Sequence, residues 1–297
     1  MVAGPDGVLL VDKPSGITST RALALAKRAL ESRKAGHTGT LDPFATGLLP
    51  LVFGEATKFS RFLINADKTY LATLKLGATS STGDTEGTIA SGGKLRIGIE
   101  EIRAISKEFI GFSTQIPPMH SAIRMEGQRL YDLARQGLEV VREPRIIRIE
   151  FLEIVEFSGE KLVISVKCSK GTYIRVLAAD LGARLGCGAY LTELRRTETG
   201  GFLVEDSASL PELESLGPGR ARQRLLPTEI LVRSLPRIDL GEREAWSIRN
   251  GQELAADPGW PPGECALFGP EGVFVGVGSV ADRHLEATRL MSTGAPG

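Results

Sequence analysis

The chain has little of what metal sites and disulfide frameworks are made from. Its three cysteines, Cys168, Cys187 and Cys265, are widely spaced and odd in number. That excludes a paired disulfide scaffold and offers no zinc-ligand spacing. Its three histidines, His37, His120 and His284, lie as far apart, so no protein-ligated metal is expected. No apolar run reaches the roughly 18 residues of a membrane span. The N-terminus has no charged region followed by a long apolar one, as a signal peptide would need. The expectation is a cytoplasmic protein without membrane contact. Neither GxxxxGK followed by Ser or Thr nor a strand-linked GxGxxG is present, which removes the common phosphate-cradling loops.

Net charge is missing too, because 36 basic residues balance 36 acidic ones. Global charge therefore argues against a nucleic-acid binder, but binding depends on local fields, and charge can be segregated by face. Basic clusters do occur at Arg21, Lys27, Arg28, Arg33 and Lys34, at Arg142, Arg145 and Arg148, at Lys167, Lys170 and Arg175, and at Arg195 and Arg196. Taken singly, each reads equally well as an ordinary solvated face.

What is present supports a folded enzyme-sized unit. Of 297 residues, 42% are hydrophobic, enough for one sizeable core and a second, smaller unit. GVLLVD (Gly7–Asp12) reads as a buried strand, and Thr18 or Ser19 can cap a following amphipathic helix whose last turn is basic. GEATKFSRFLIN has helical periodicity. KTYLATLKLG alternates as a half-buried strand, and Ile149–Phe157 with Lys161–Cys168 reads as a hairpin. Ile99–Phe109 and Tyr173–Leu185 are helical, the latter ended by Gly186, and Ala189–Arg196 is a strand. SLPELESLGPGRARQRLLP reads as a linker leading out of the main domain. From about Leu235 to Leu290, short apolar runs separated by glycine-rich turns suggest a small β-barrel.

The densest chemical signal is GHTGTLDPFATGLLP, Gly36–Pro50. Gly36, Gly39 and Gly47 open backbone geometries closed to other residues. Pro43 pushes Asp42 towards an extended conformation and removes a backbone donor beside it. The loop thus presents a single carboxylate with His37 and two threonines nearby. An Asp-Pro turn that merely caps itself is the plain alternative. Against it, CSKGTYIRVLAADLG places Arg175 two residues after Tyr173, and an arginine fork can hold a carboxylate bidentately and ionised. Tyr70 opens the half-buried strand. Its ring can stack on a base, and its hydroxyl can move a proton.

VDKPSGITS, GHTGTLDPFATGLLPLVFGEATK, KTYLATLKLGATSSTGDTEG, IPPMHSAIRMEGQRLYDLARQG, CSKGTYIRVLAADLG and LTELRRTETGGF together resemble the TruB family of tRNA pseudouridine-55 synthases. They stand in family order from about residue 7 to 203. The catalytic block resembles the bacterial branch more than the guide-RNA branch. The resemblance implies an α+β fold: a mixed, mostly antiparallel central sheet with flanking helices, then a small PUA-like β-barrel. It implies a catalytic domain over 5–230, with an RNA-gripping insertion at 118–146, and an RNA-binding domain over 235–292. The implied reaction converts a uridine of the tRNA T-loop (position 55) to pseudouridine by base flipping, through a covalent or glycal-type route.

By position, Asp42, Tyr70 and Arg175 are the implied catalytic residues. His37 takes part in displacing the target base. Asp84 joins the electrostatic network, Tyr173 and Leu194 form pocket wall, Lys13 and Pro14 support the floor, and Arg124 contacts phosphate where the family commonly has lysine. Gly201 stands where proline is common. The implied reaction is redox-neutral and needs no cofactor. The expected partner is the T-arm of tRNA, engaged by a monomer without an obligatory guide RNA or protein. Competing readings are a guide-dependent synthase, a non-catalytic RNA chaperone, for which Asp42 would be unnecessary, and a glycosidase-like hydrolase, which lacks a second carboxylate in the same loop.

Overall fold

The structure, a computed structural model, describes residues 4–292 except 95, 97, 122, 123, 126 and 127. Among the described residues a ten-stranded sheet forms the centre. Its main path runs Ala208–Ser209, Gly7–Lys13, Thr46–Phe53, Ala189–Thr199, Lys68–Leu76, Lys161–Cys168, Arg145–Ser158, Gly111–Gln115. Two neighbouring pairs are parallel, Gly7–Lys13 with Ala208–Ser209 and Thr46–Phe53 with Ala189–Thr199. The other pairings in this sheet are antiparallel. Gly7–Lys13 and Thr46–Phe53 read as nearly continuous apolar runs because both faces are covered, whereas Lys68–Leu76 and Ala189–Thr199 alternate. Leu48–Phe53 are all buried. One face carries Leu9, Leu49, Leu51, Ala72 and Leu74, and packs the helices Ser19–Ala29 and Ile174–Arg184, the latter through Leu177 and Leu181.

Thr18 caps the first of these helices, accepting from the Arg21 backbone at 3.1 Å. The GEATKFSRFLIN segment divides into a tight turn of helix, Gly54–Phe59, and a short α-helix, Arg61–Asn65. The expected linker is instead a helix, Leu210–Arg222, that packs against Ser19–Ala29. Pro211 misled the sequence reading, but it stands in the first turn, where no amide partner is needed. Gly217, at φ 69°, breaks the helix into two pieces without ending it. Leu213 and Ala221 reach the main core, and Arg222 Nε donates to Leu30 O at 2.9 Å, satisfying an orphan carbonyl of the first helix.

The tail forms a five-stranded half-barrel sheet, ordered Arg237–Asp239, Gly263–Phe268, Phe274–Ala281, His284–Leu290, Leu254–Ala255, with the helix Glu242–Arg249 against it. The strand Gly263–Phe268 is buried on both sides. Cys265 and Leu267 face the tail's own core. Ala266 and Phe268 join Phe274 and Val277 in a cluster with Val8, Leu10, Leu48, Val52 and Phe59 from the large sheet. Phe59 and Phe274 meet edge to face at 5.3 Å. Polar ties ring this seam: Lys58 Nζ donates to Leu290 O at 3.1 Å, the Ser292 amide donates to Glu55 at 2.7 Å, and Arg61 pairs with Glu264. Partial burial works against ionisation of Glu55, but hydrogen bonds from Lys58 and Ser292 outweigh it and hold the carboxyl at about 2.

Candidate active site

The loop carrying Asp42 is fixed on both sides of that residue. Ser19 Oγ donates to Leu41 O at 3.0 Å and accepts from Leu41 N at 2.8 Å. Thr18 takes the capping role and so leaves Ser19 free for this contact. On the other side Lys13, fully buried, reaches Pro43 O at 3.2 Å as well as Pro14 O and Ile17 O, both at 2.8 Å. Gly16 N adds a bond to Pro43 O at 2.9 Å. Burial pulls the Lys13 ammonium down to about 8, with Asp42 opposing. Gly47 has φ +100°, and a Cβ there would sit 2.3 Å from Arg196 O. Only glycine lets the two strands approach so closely.

Arg175 Nε lies 2.9 Å from Asp42 Oδ2 and 3.5 Å from Asp84 Oδ2. The expected bidentate fork is not what forms. The terminal nitrogens point elsewhere, Nη1 to Thr82 O at 3.0 Å and Nη2 to His120 O at 2.6 Å. Arg175 thus joins three loops through one guanidinium. Asp84 is buried and bonded to the Thr82 hydroxyl and the Glu86 amide. The Asp42 side chain keeps 34% of its area open, because it faces a cavity. Burial raises its pKa above the ordinary carboxylate value, against the pull of Arg175 and with the help of Asp84.

That cavity holds about 590 Å³. Asp42, Tyr70, Tyr173, Arg175, Leu194 and Arg196 all line it. Tyr70 is buried in the Lys68–Leu76 strand, and its pKa is raised by burial, which the nearby Arg196 charge opposes. Tyr173 precedes the helix Ile174–Arg184 and exchanges two hydrogen bonds with the Gln115 side chain, at 2.8 and 3.1 Å. Leu194 and Arg196, two apart on one strand, share the cavity face.

Other expected residues lie farther out. His37 ends the strand Ala35–His37 and is not part of the cavity lining. Burial, reinforced by Arg196, lowers its pKa, so the ring is neutral near pH 7. Pro14 contributes its carbonyl to Lys13 and is itself exposed. Arg124 lies on the short strand Arg124–Met125, while its side chain falls outside the described residues, as does part of the expected 118–146 insertion. Gly201 has φ 78°, which proline cannot adopt. The Arg233 guanidinium also lies 2.5 Å from where a Cβ would stand.

Sequence reasoning missed two cations at the cavity. Arg196 and Lys68 are buried and line it. Lys68 Nζ donates to Leu63 O, Ile64 O and Ala66 O, at 3.2, 2.8 and 2.5 Å, and burial lowers its pKa to about 8. Lys13, Lys68, Arg175 and Arg196 are buried around a site holding Asp84 and the half-open Asp42. A chain with zero net charge therefore concentrates positive potential at one cavity. No composition count could have found this; the register that sets Arg196 beside Tyr70 is the relevant signal.

The cavity thus brings together the Asp42 carboxylate, the Tyr70 ring and the cations Lys68, Arg175 and Arg196. Three family models divide the chain. The N-terminal domain of TruB family pseudouridylate synthase matches residues 27–174. The tRNA pseudouridylate synthase B C-terminal domain matches 175–233, and the pseudouridine synthase II TruB C-terminal model matches 236–291. A tRNA pseudouridine synthase B of Thiobacillus denitrificans is 49% identical over 290 residues, covering 97% of this chain and 96% of the relative. Its counterpart in Dechloromonas aromatica is 50% identical over 273 residues, covering 92% and 91%. Among solved structures, an H/ACA RNP bound to a substrate RNA containing 2′-deoxyuridine superposes with a TM-score of 0.74 at 25% identity, covering 97% of this chain and 85% of that one. An archaeal box H/ACA sRNP Nop10-Cbf5 complex gives 0.72 at 25% identity, with 97% and 87% covered. The chain belongs to the TruB family of pseudouridine synthases and is an isomerase.

Proposed function

We propose that this enzyme acts on the T-loop of tRNA, at position 55, without a guide RNA, as a protein of the cytoplasm. The observation that carries the reading is Asp42 itself, a half-open carboxylate held from both sides at the base of a cavity of about 590 Å³. The free-standing reading is favoured over a guide-dependent one by the relatives at about half identity, all named for tRNA.

A uracil within a folded loop must leave its stack before it can reach Asp42, at a cost of a few kcal/mol. Tyr70 and Leu194 offer surfaces for the extruded base. Asp42, ionised, attacks C1′ or the base, or stabilises a glycal-type route. The N1–C1′ bond breaks, the uracil turns in the cavity, and C5 bonds to C1′ as any bond formed to Asp42 breaks and returns the carboxylate. The C5 proton passes to the Asp42 carboxylate, directly or through a Tyr70 hydroxyl that gives up its own proton as it accepts, and N1 gains a proton. No atom enters or leaves overall, so the chemistry asks for no cofactor. In this reading residues 5–230 perform catalysis, and 235–292 form a PUA-like domain that grips RNA.

Purified protein incubated with an unmodified tRNA transcript should yield pseudouridine at position 55 alone, mapped by position. Product at another position would refute the site assignment. Product that requires an added guide RNA would establish the second reading.

A further inference from the structure

Among the described residues the largest fully buried side chain belongs to Arg196, at 1% exposure, and the reaction sketched above leaves it without a task. Its Nε donates to Leu48 O at 2.7 Å and its Nη2 to Gly39 O at 3.1 Å. Those two carbonyls stand on either side of Asp42 in sequence, three residues before it and six after. The same strand position pairs with Tyr70 on the neighbouring strand and with Gly47 on the other side. Gly47 lets the loop strand close on the Arg196 backbone, whereas a side chain at Gly39 would only be in ordinary contact with the guanidinium. A Cβ at Gly39 would lie 3.5 Å from Arg196 Nη1, and one at Gly47 would strike the Arg196 backbone at 2.3 Å. A buried guanidinium is costly unless its donors are met. If packing were the only need, an apolar side chain would fill this position without that penalty.

The geometry points to Arg196 as a positioning residue that clamps both arms of the Asp42 loop to the strand bearing Leu194 and aligns the Tyr70 hydroxyl with the Asp42 carboxylate. Its work is distinct from that of Arg175, which contacts the carboxylate and ties in the Thr82 and His120 loops. Arg196 instead sets where the Asp42 backbone lies relative to Tyr70. Its charge also opposes the burial that raises the Tyr70 hydroxyl, and it helps keep His37 neutral. The inference rests on the reading that Asp42 and Tyr70 carry the reaction.

Two variants test it. Arg196→Lys keeps the charge but cannot span Leu48 O and Gly39 O in one plane. Misplacement by an ångström is worth about 10²-fold in rate, so single-turnover rate at saturating tRNA should fall by about that factor, with tRNA affinity within a few-fold. Arg196→Met removes the charge. In protein labelled at the tyrosine ring carbons, with Tyr70→Phe to assign the signal, the Tyr70 titration should move to higher pH in Arg196→Met and stay in place in Arg196→Lys. A near-normal single-turnover rate in Arg196→Lys overturns the proposal, as does an unmoved Tyr70 titration in Arg196→Met. If Arg196→Met does not fold, the rate of Arg196→Lys decides. Failure of both to fold would make Arg196 a core residue only and would also overturn it. Asp42→Asn is measured alongside: turnover there would defeat the underlying reading, whereas an inactive Asp42→Asn beside a fully active Arg196→Lys would defeat this inference alone.

Discussion

Arg175 meets Asp42 through a single nitrogen, Nε at 2.9 Å, while its two terminal nitrogens hold the carbonyls of Thr82 and His120. The arginine is therefore a junction of loops as much as a counterion. Arg175→Lys can keep a charge near Asp42 but cannot hold both carbonyls, which would be left unpaired in a buried site. The expected result is a loss of single-turnover rate of about 10²-fold or more, with a smaller change in tRNA affinity. Equal losses in both would assign Arg175 to phosphate binding instead.

Asp42→Asn should abolish pseudouridine formation and leave tRNA affinity within a few-fold. The pH profile gives an independent check. Burial raises the Asp42 pKa above its ordinary 3.8, so the protonated, inactive form persists to higher pH. The acid limb of kcat/KM should therefore have its midpoint above 3.8, falling as pH drops. A limb at or below that value would show that Arg175 outweighs burial.

Tyr70→Phe keeps the stacking ring and removes the hydroxyl. If that hydroxyl handles the C5 proton, single-turnover rate should fall by ~10²–10⁴-fold. A near-normal rate would reduce Tyr70 to a platform for the base.

Lys13 and Lys68 both sit at about 8 in the folded protein, against 10.5 when free. Between these values the unfolded chain binds more protons than the folded one, so stability rises with pH. Cys168, raised by burial to about 12 from 9, acts in the opposite sense above pH 9. Urea unfolding should thus show stability climbing by roughly 1–2 kcal/mol from pH 8 to pH 9, then more slowly up to about pH 10.5, where the cysteine offsets the two lysines. A flat or falling curve across that first interval would mean that the two lysines keep ordinary affinities for their protons.

Phe274 in the tail packs edge to face on Phe59 and closely on Phe268. Phe274→Ala should cost about 3–5 kcal/mol and lower one shared melting transition. Cutting the tail at about residue 235 would strip cover from Val8, Leu48, Val52 and Phe59, so the shortened protein should be markedly less stable. Two separate transitions in the intact protein would contradict this.

The sequence makes Asp42, Arg175 and Tyr70 visible because each stands in a segment of unusual glycine and proline content or at a strand start, and because the family blocks surround them. Arg195 and Arg196 look identical there, as a solvated pair. The strand separates them. Arg195 turns outward to a bidentate pair with Asp12, at 3.0 and 2.8 Å, while Arg196 turns into the sheet. Facing depends on register with strands remote in the sequence, which residue types do not encode. The helix Leu210–Arg222 is obscured for a related reason. Its proline and glycines are read as breakers, and only packing against Ser19–Ala29 makes them tolerable.

The apolar seam between tail and catalytic sheet has a mechanical consequence. With Phe268, Phe274 and Val277 set into the same cluster as Val8 and Leu48, the tail is seated on the sheet and not strung from it. The tail's placement relative to the catalytic sheet is then set by packing and not by a tether. To shift the tail against the sheet would mean opening this apolar seam and wetting it, not flexing a hinge.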